Sequence, residues 1–550
     1  MARGRGGRLT RSSAARVLLV VTGLLAFAVR IGPVVAAGLL RGAMSYDEGV
    51  HLQVAQRLLA GQLTYRDVLF VHPPGVVLAQ VPIAWLGQLV GEPSALAVSR
   101  CLAAGIAALT AVLVARLLLP RGLLAAGTGG AVAALFGPAV AADRVALLEG
   151  ALSLGLVVAL SALAAVGRPS RTVSTGQVPA LEAVAATPAR TSALSDRSRR
   201  ALVVGGAAIG LAAAVKIWAL VDVVLLVAMV AIRHGRSAVW RWAAGCVAAI
   251  LVVVGPFALL APGSMWHDVV GAQLHRPRPQ GESLDALVTR VAALEPIAGL
   301  GGRWPDTLVV GVMALVVGGL LVALVRLGLR FRTSANRWSD PVWWLVIGAA
   351  HLAALVVAPS HYLHYDAFLT VPLALVLGAG AGWGARRVVG RASAVRLGAV
   401  LAAVLVTLAS TLPALSPGAA VSATVLAREA HGCVWVREVQ FLIVANLSRQ
   451  QIERGCPGQP DLFGLTMATY SEPEPAVALA ALDREVAHQL AQSDVAFLLA
   501  EDPRRDLGPV ARRYLARHFV AGPTTGSVQV WRRIDPVGSL LGSALGIALG

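Results

Sequence analysis

Apolar stretches of about 20 residues recur along the chain, and each is long enough for one helix to cross a lipid bilayer. Of the 550 residues, 57% are hydrophobic and only 14% are charged, and the mean hydropathy is +0.72. A soluble protein of this length would carry far more polar surface. The sequence therefore predicts a polytopic α-helical membrane protein.

The formal net charge of +18 invites a nucleic-acid-binding interpretation, but the placement of the arginines argues against it. They form short clusters between the apolar stretches, as the positive-inside rule produces when cationic loops stay in the cytoplasm. Nucleic acid is therefore not expected as a partner, whereas membrane lipids are. The clusters are Arg3 to Arg16, Arg168 to Arg200, Arg233 to Arg241, Arg326 to Arg337 and Arg386 to Arg396.

The charge pattern also predicts the side of the membrane on which each loop lies. The N-terminal arginines place residues 1–16 inside, so a first helix over 17–40 delivers the loop around Asp47 to the outside. This loop is predicted outside and the arginine-rich linker 168–200 inside, so the chain must cross the membrane an odd number of times between them. Four apolar segments lie between them, however: 74–91, 95–118, 121–140 and 144–166. The first contains two prolines and two glutamines, so we expect it to lie at the interface without spanning.

Residues 201–232 have arginine clusters on both flanks and must therefore cross twice. Such a hairpin would contain two helices of about 15 residues, each spanning only about 23 Å, and would put Lys216 at or near the outer surface. The total is about eleven crossings, with 262–304, 359–364 and everything after about 416 outside. The remaining helices are expected near 239–261, 306–327, 341–358, 365–384 and 396–415.

Composition divides the chain into a transmembrane domain, residues 1–415, a small C-terminal domain, residues 416–535, and an apolar tail, 536–550. Within the first domain, 41–94 is predicted to be an outer loop with interfacial helices. The linker 168–200 is rich in Ser, Thr, Ala and Pro and lacks apolar periodicity. It is therefore predicted to be a disordered cytoplasmic loop.

The C-terminal domain alternates short strand-like runs with helical stretches such as 476–492, which predicts an α/β domain outside the membrane. Cys433 and Cys456 lie in this polar region and could form a disulfide if it faces an oxidising compartment. Cys101 and Cys246 lie in apolar segments and are expected to be inert. The strand-like runs are Val434 to Val436, Phe441 to Val444, Val495 to Leu499 and Val528 to Trp531.

Two adjacent carboxylates, Asp47 and Glu48, stand where the first helix leaves the membrane. Charges at that position are costly unless they are solvated or paired. One interpretation is a solvated loop that merely ends the helix. The other is a carboxyl beside a low-dielectric surface, whose pKa is raised and which acts as a general base on a hydroxyl.

Short motifs follow this acidic pair in a defined order along the outer loop. They are Asp47-Glu48-Gly49, Leu58-Leu59-Ala60-Gly61, Tyr65-Arg66-Asp67 and His72-Pro73-Pro74-Gly75. In this order the sequence resembles the C superfamily of membrane glycosyltransferases (GT-C). Within it, the sequence is similar to the family-39-like enzymes related to protein O-mannosyltransferases and lipid A aminoarabinose transferases. The resemblance is strong over residues 40–160, looser over 200–400, and covers little of the C-terminal domain.

The resemblance implies a GT-C-like fold and a glycosyltransferase. Its donor would be a hexose or pentose linked to polyprenyl phosphate, its acceptor a hydroxyl on a lipid, glycan or protein, and the anomeric carbon would be inverted. Asp47 then matches the base that deprotonates the acceptor, and Glu48 would orient the acceptor or Asp47. Asp143 matches the second outer acidic position, with Glu149 as its rival. The leaving phosphate would require positive charge.

Lys216 is the only lysine among 47 basic residues, and two interpretations are open for it. It could anchor a helix at the interface by snorkelling, or its compact charge could meet the donor phosphate. The resemblance, which includes a lysine in a comparable place, favours the phosphate. The other residues assigned to substrate binding are His72, Tyr65, Arg66, His275, Arg276, His361, His364 and Tyr365.

No cofactor is indicated by the sequence. His361 and His364 are three residues apart, but no carboxylate or cysteine set with ligand spacing accompanies them. A divalent metal is therefore an open alternative and no metal ligand is assigned.

Two other classes of function share parts of this pattern. A transporter or lipid flippase would share the helix count, and a non-catalytic scaffold would bind wall polymer through the outer domain. Transporters tend to show repeats with broken helices near the midplane. Here the unusual residues gather at one face, which favours an interfacial enzyme in the plasma membrane with its active site and C-terminal domain outside.

Overall fold

The computed structural model describes residues 3–166, 195–277, 339–385, 420–501 and 507–534. The predicted helices 306–327 and 396–415, most of the linker 168–200 and the tail 536–550 lie outside these residues. The first ten helices are α1 Arg3–Ala36, α2 Tyr46–Leu59, α3 Gly75–Val90, α4 Glu92–Leu118, α5 Leu123–Leu135, α6 Gly137–Asp143, α7 Glu149–Ala165, α8 Asp196–Ala213, α9 Ala219–His234 and α10 Arg236–Leu260.

Shorter elements follow α10 before the C-terminal region begins. They are α11 Pro262–Trp266, a π-helical turn His267–Gly271, α12 Ala272–Leu274, α13 Asp340–Val357, a 3₁₀ helix Leu363–Leu369 and α14 Thr370–Ala385. The 3₁₀ helix leads directly into α14, so the loop that precedes it is held against the membrane helices.

Five helical segments of the described residues are long and apolar enough to cross a membrane, and α5 with α6, bent by 53°, would form a sixth. Their outward faces are apolar; Leu259 of α10, for example, is 84% exposed. Such surfaces are stable against lipid rather than water. The multi-pass membrane prediction is confirmed in its coarse form, and the count of about eleven crossings stays a prediction. The five segments are Ser13–Ala36, Glu92–Arg121, Arg236–Leu260, Asp340–Val357 and Leu363–Trp383.

The chain breaks between α8 and α9, at residues 214–218, where the sequence predicts a hairpin. Lys216 lies in this break, but it is only 4% exposed. Its side chain is therefore enclosed by protein, and the expectation that it lies at or near the outer surface of the membrane stays a prediction. The ammonium is buried because the Glu149 carboxylate compensates for part of its lost hydration.

Helices α8 and α10 approach each other closely through glycines. A Cβ at Gly206 would lie 2.0 Å from the carbonyl oxygen of Trp242, and one at Gly210 would lie 2.4 Å from that of Cys246. Small residues of this kind allow helices to pack tightly in lipid, where the hydrophobic effect does not drive association. The pair therefore forms a firm support for the break that carries Lys216.

The C-terminal region contains a four-stranded mixed sheet in the order β1-β2-β4-β3. Strand β1 runs parallel to β2, whereas β4 is antiparallel to both β2 and β3. The strands are β1 Val434–Val436, β2 Val495–Leu499, β3 Phe519–Thr525 and β4 Val528–Arg533. The helices around them are α15 Ala423–Glu429, α16 Gln440–Val444, α17 Ser448–Glu453, α18 Leu462–Ala468, α19 Pro475–Ala491 and α20 Pro509–His518.

The two faces of this sheet have different partners, because successive side chains of a strand point to opposite sides. One face packs on α19 and α20. The other shares a hydrophobic core with α16 and with the outer-loop helices α2 and α3. The C-terminal region is thereby docked on the helix that carries Asp47 and Glu48.

One predicted strand is wrong. Residues Phe441–Val444 belong to helix α16, and all of them are buried. A short, fully apolar run has no periodicity that separates a buried strand from a buried helical turn. Helix α16 packs directly on α2, since a Cβ at Gly49 would lie 2.7 Å from the backbone nitrogen of Gln440. Strand β3 was not among the predicted runs.

The disulfide between Cys433 and Cys456 is confirmed, with a Cα–Cα distance of 5.4 Å. It joins the residue before β1 to the loop after α17. Cys101 and Cys246 are free thiols within α4 and α10, as expected for residues in apolar segments.

Candidate functional site

A cavity of about 370 Å³ lies between the first turn of α2, the start of α7, the break at Lys216 and the C-terminal region. It brings together six of the twelve residues that the sequence analysis assigns to the site: Asp47, His72, Lys216, Arg276, His364 and Tyr365. The rest of its lining consists of Tyr46, His51, Val71, Leu147, Leu148, Glu149, Tyr362, Arg437, Glu438, Asp461 and Phe463.

Asp47 lies in the first turn of α2, where the exposed N–H groups and the helix dipole favour a carboxylate. Burial nevertheless raises its pKa to about 7, and the charges of Asp461 and Glu149 add to this rise. Lys216 and Arg276 act in the opposite direction. A carboxyl with such a pKa can accept a proton near neutral pH.

Glu48 follows Asp47 directly but does not line the cavity. Its carboxylate forms a fully buried ion pair with the guanidinium of Arg100 on α4. The same guanidinium donates to the backbone carbonyls of Leu39, Leu40 and Gly42. Glu48 therefore anchors the loop between α1 and α2, and the adjacent carboxylates have separate surroundings.

Glu149 and Lys216 form the ion pair at the back of the cavity. Lys216 Nζ lies 2.5 Å from Glu149 Oε1, and both side chains are almost completely buried. The ammonium also lies over two aromatic rings, 4.2 Å from the ring centroid of Tyr365 and 4.8 Å from that of Trp218. Cation–π contacts and the carboxylate together hold this charge at the cavity wall.

Asp143, the predicted second acidic residue, lies outside the cavity. Its Oδ2 is 3.0 Å from Nη2 of Arg30 on α1, in a second buried ion pair. Arg30 also donates to the carbonyl oxygens of Ala26 and Ala134. Its rival Glu149 is the carboxylate that the fold brings beside Asp47.

Arg276 enters the cavity from the segment after α12. Its Nη1 donates to Ser360 Oγ at 2.8 Å and lies 3.4 Å from Tyr365 Oη. Its guanidinium lies 5.4 Å from the ring centroid of Phe463 in the C-terminal region. The neighbouring His275 is exposed, and its Nδ1 lies 3.0 Å from the Gly271 carbonyl oxygen.

The histidines before α14 have different positions. His364 lines the cavity. His361 does not line the cavity, and its Nε2 lies 2.7 Å from Asp366 Oδ1. Among the described residues, no group of three or more His, Cys, Asp and Glu side chains is arranged to hold a metal ion.

The Tyr65-Arg66-Asp67 motif supports the cavity from one side. Tyr65 Oη donates to the His72 carbonyl oxygen at 2.7 Å, and Tyr65 itself adopts a positive φ of 73°. Arg66 is exposed at the rim of a separate surface cleft and pairs with Asp67 at 2.8 Å. Burial, together with the charge of Lys216, lowers the pKa of His72 well below its usual value. A neutral imidazole therefore faces the cavity.

Several lining residues were missed by the sequence-based prediction. His51 had a usable signal, because it lies four residues after Asp47 and so on the same face of α2. Arg437, Glu438, Asp461 and Phe463 had none, since they come from the C-terminal region and reach the cavity only through tertiary packing.

Solved structures with a similar architecture cover nearly the whole chain. ArnT from Cupriavidus metallidurans bound to undecaprenyl phosphate matches with a TM-score of 0.51 and 14% identity, over 97% of this chain and 99% of that one. The apo state of the same protein matches with a TM-score of 0.52 and 14% identity, over 98% and 99%. The chain has a GT-C fold.

The archaeal oligosaccharyltransferase AglB from Archaeoglobus fulgidus, in complex with an inhibitory peptide and a dolichol-phosphate, matches with a TM-score of 0.49 and 12% identity. That match covers 95% of this chain and 74% of the AglB chain. No family model and no curated protein sequence matches the chain. The GT-C fold predicted from the order of the outer-loop motifs is confirmed.

Proposed function

We propose that the protein transfers a sugar from a polyprenyl-phosphate donor to an acceptor hydroxyl, on the extracytoplasmic face of the plasma membrane and with inversion at the anomeric carbon. The observation that carries this proposal is the meeting of opposite charges in one cavity. The Asp47 carboxyl, with a pKa near 7, shares it with the cations Lys216 and Arg276.

In this mechanism Asp47 accepts the proton of the acceptor hydroxyl as that oxygen attacks the anomeric carbon. The bond between the anomeric carbon and the phosphate oxygen breaks on the opposite face. The polyprenyl phosphate leaves with the bonding electrons, and Lys216 and Arg276 stabilise its growing negative charge. No redox step is involved, and the proton ends on Asp47 before it is released to water.

The lipid carrier of the structural neighbour supports this donor class. ArnT was solved with undecaprenyl phosphate, and a cavity that presents Lys216 and Arg276 beside apolar helices suits the same headgroup and tail. The aromatic rings of Tyr365 and Tyr362 and the imidazole of His72 offer flat surfaces and hydrogen-bonding groups for a sugar.

Replacing Asp47 by Asn tests the proposal directly. The amide keeps the shape of the side chain but cannot accept the proton, so we expect transfer to fall about 10²- to 10⁴-fold. The assay uses membranes that contain the protein and a panel of radiolabelled sugars on polyprenyl phosphate, and it measures label released from the lipid and label joined to acceptor.

The matched control is Asp494→Asn. Asp494 accepts the backbone N–H of Cys433 at 2.9 Å and lies outside the cavity, so this variant should transfer at the wild-type rate. Equal elution of both variants on size-exclusion chromatography in detergent shows that the membrane fold is retained. Wild-type transfer by the Asp47 variant would overturn the role of Asp47. Lipid translocation by a wild-type protein that transfers no sugar would favour the flippase alternative.

A further inference from the structure

Asp461 begins helix α18 and is linked to the start of α2. Its Oδ1 accepts the backbone N–H of Gly464 at 2.6 Å, as an N-cap residue does. The same oxygen accepts the hydroxyl of Tyr46 at 2.9 Å. The Tyr46 oxygen in turn accepts the N–H of Phe463 at 3.0 Å. The tyrosine hydroxyl is thus satisfied by one acceptor and one donor, both from the first turn of α18.

Tyr46 is the first residue of α2 and immediately precedes Asp47. A hydrogen bond that fixes Tyr46 therefore restrains the first turn of the helix that carries the proposed base. Asp461 is withdrawn from water, with 6% of its surface exposed, and Tyr46 is half-buried. The ring of Phe463, whose backbone N–H donates to Tyr46, lies under the guanidinium of Arg276. The C-terminal region thereby reaches both the helix turn that carries Asp47 and the cation Arg276.

We propose that Asp461 is a positioning residue for the base. Asp461 holds Tyr46, and with it the first turn of α2, so that the Asp47 carboxyl faces the cations of the cavity. The negative charge of Asp461 also acts on the Asp47 carboxyl. This inference rests on the proposed function of Asp47. It gives the C-terminal region a role in positioning the base. The outer-loop motifs did not predict this role.

The charges around Asp47 determine what the loss of Asp461 does to its protonation. Asp461 and Glu149 raise the pKa of Asp47, whereas Lys216 and Arg276 lower it. The other titratable groups that face the same cavity are Tyr46, His51, His72, Tyr362, His364, Tyr365, Arg437 and Glu438. Because a neighbouring negative charge disfavours ionisation, neutralising Asp461 should make Asp47 ionise at lower pH.

The test measures protonation of Asp47 without any sugar donor. The full-length protein in lipid nanodiscs is treated with an apolar carbodiimide, which modifies protonated carboxyls, and the labelled peptide is quantified by mass spectrometry across pH 5 to 9. In the wild type, labelling of Asp47 should fall by half near pH 7, at about its raised pKa. In Asp461→Asn, which keeps the capping oxygen, we expect this midpoint to move down by about one pH unit.

Two further variants separate charge from position. Tyr46→Phe keeps the carboxylate of Asp461 but removes the hydrogen bond, so the kcat for transfer should fall about tenfold with little change in KM. Asp483→Asn is the matched control, because Asp483 also accepts backbone N–H groups at a helix start, those of Val510 and Ala511, away from the cavity. It should leave the labelling midpoint and the kcat unchanged.

An unchanged midpoint in Asp461→Asn would overturn the proposed charge effect, as would an equal shift in Asp483→Asn. A wild-type kcat in Tyr46→Phe would overturn the proposal that this hydrogen bond positions the first turn of α2. These outcomes are distinct from failure of the proposed function, in which the wild type transfers no sugar although the labelling midpoints differ as expected.

Discussion

Lys216 and Glu149 come from the break between α8 and α9 and from the first turn of α7, and they meet in a buried ion pair at the cavity wall. Such a pair is expensive to break, because the remaining charge stays in a medium of low dielectric constant. It also limits what Lys216 can do, since its charge is shared between Glu149 and any bound phosphate. The pair is therefore both a structural contact and part of the proposed donor site.

Two variants separate these roles. Lys216→Met should lower the free energy of unfolding by about 3–5 kcal/mol, because Glu149 is left charged and unpaired, and should also weaken transfer. Adding Glu149→Gln should restore most of the thermal stability, measured by the melting temperature in detergent, without restoring transfer. Recovery of transfer in the double variant would contradict a role for the ammonium in the reaction.

The other acidic residues illustrate the limits of prediction at this scale. Glu48 and Asp143 are acidic residues near the membrane surface, as Asp47 is, and their sequence context does not separate them. Their partners are Arg100, 52 residues from Glu48, and Arg30, 113 residues from Asp143. Which carboxylate is neutralised by an arginine and which is left facing a cavity depends on helix packing, and local sequence does not encode it.

At the scale of elements, the 3₁₀ helix Leu363–Leu369, which forms one wall of the cavity, is held by contacts with neighbouring helices. The carbonyl oxygen of Phe368 lies 2.8 Å from His351 Nδ1 on α13, and His351 Nε2 lies 2.7 Å from Asp222 Oδ1 on α9. The ring of His351 also stacks on that of Phe368. Two membrane helices thus fix the segment that presents His364 and Tyr365.

The disulfide is the other element-scale support, because it closes a loop of 23 residues that includes β1, α16 and α17. Replacing Cys433 and Cys456 by Ser should lower the free energy of unfolding of the C-terminal region by about 3 kcal/mol, since the unfolded chain gains freedom. Limited proteolysis followed by mass spectrometry should show earlier cleavage between β1 and α18. Cys101→Ser, which removes a free thiol in α4, should leave the cleavage rate unchanged; equal rates in all three proteins would contradict the prediction.

For the whole molecule, the distribution of arginines predicts an orientation in the membrane. A cysteine that replaces Arg66, whose side chain is 58% exposed, should react with a membrane-impermeant maleimide in intact cells. A cysteine that replaces Asp196, whose side chain is 83% exposed, should react only after permeabilisation. Both are placed in a background without Cys101 and Cys246. If the cysteine at position 196 reacted in intact cells and the one at position 66 did not, the predicted orientation in the membrane would be contradicted.

The sequence by itself determined that this is a multi-pass membrane protein, and it located the motifs that follow Asp47 and the only lysine, Lys216. These properties are local, because whether a helix can cross a membrane depends on the length and apolar content of that one segment. Tertiary structure alone decided that Asp47 shares a cavity with Glu149, Lys216 and Arg276, and that Glu48 and Asp143 do not. It also decided that Asp461 reaches that cavity. The physical reason is that burial and charge pairing depend on atoms far apart in the sequence, from 52 residues for Glu48 and Arg100 to 415 residues for Tyr46 and Asp461.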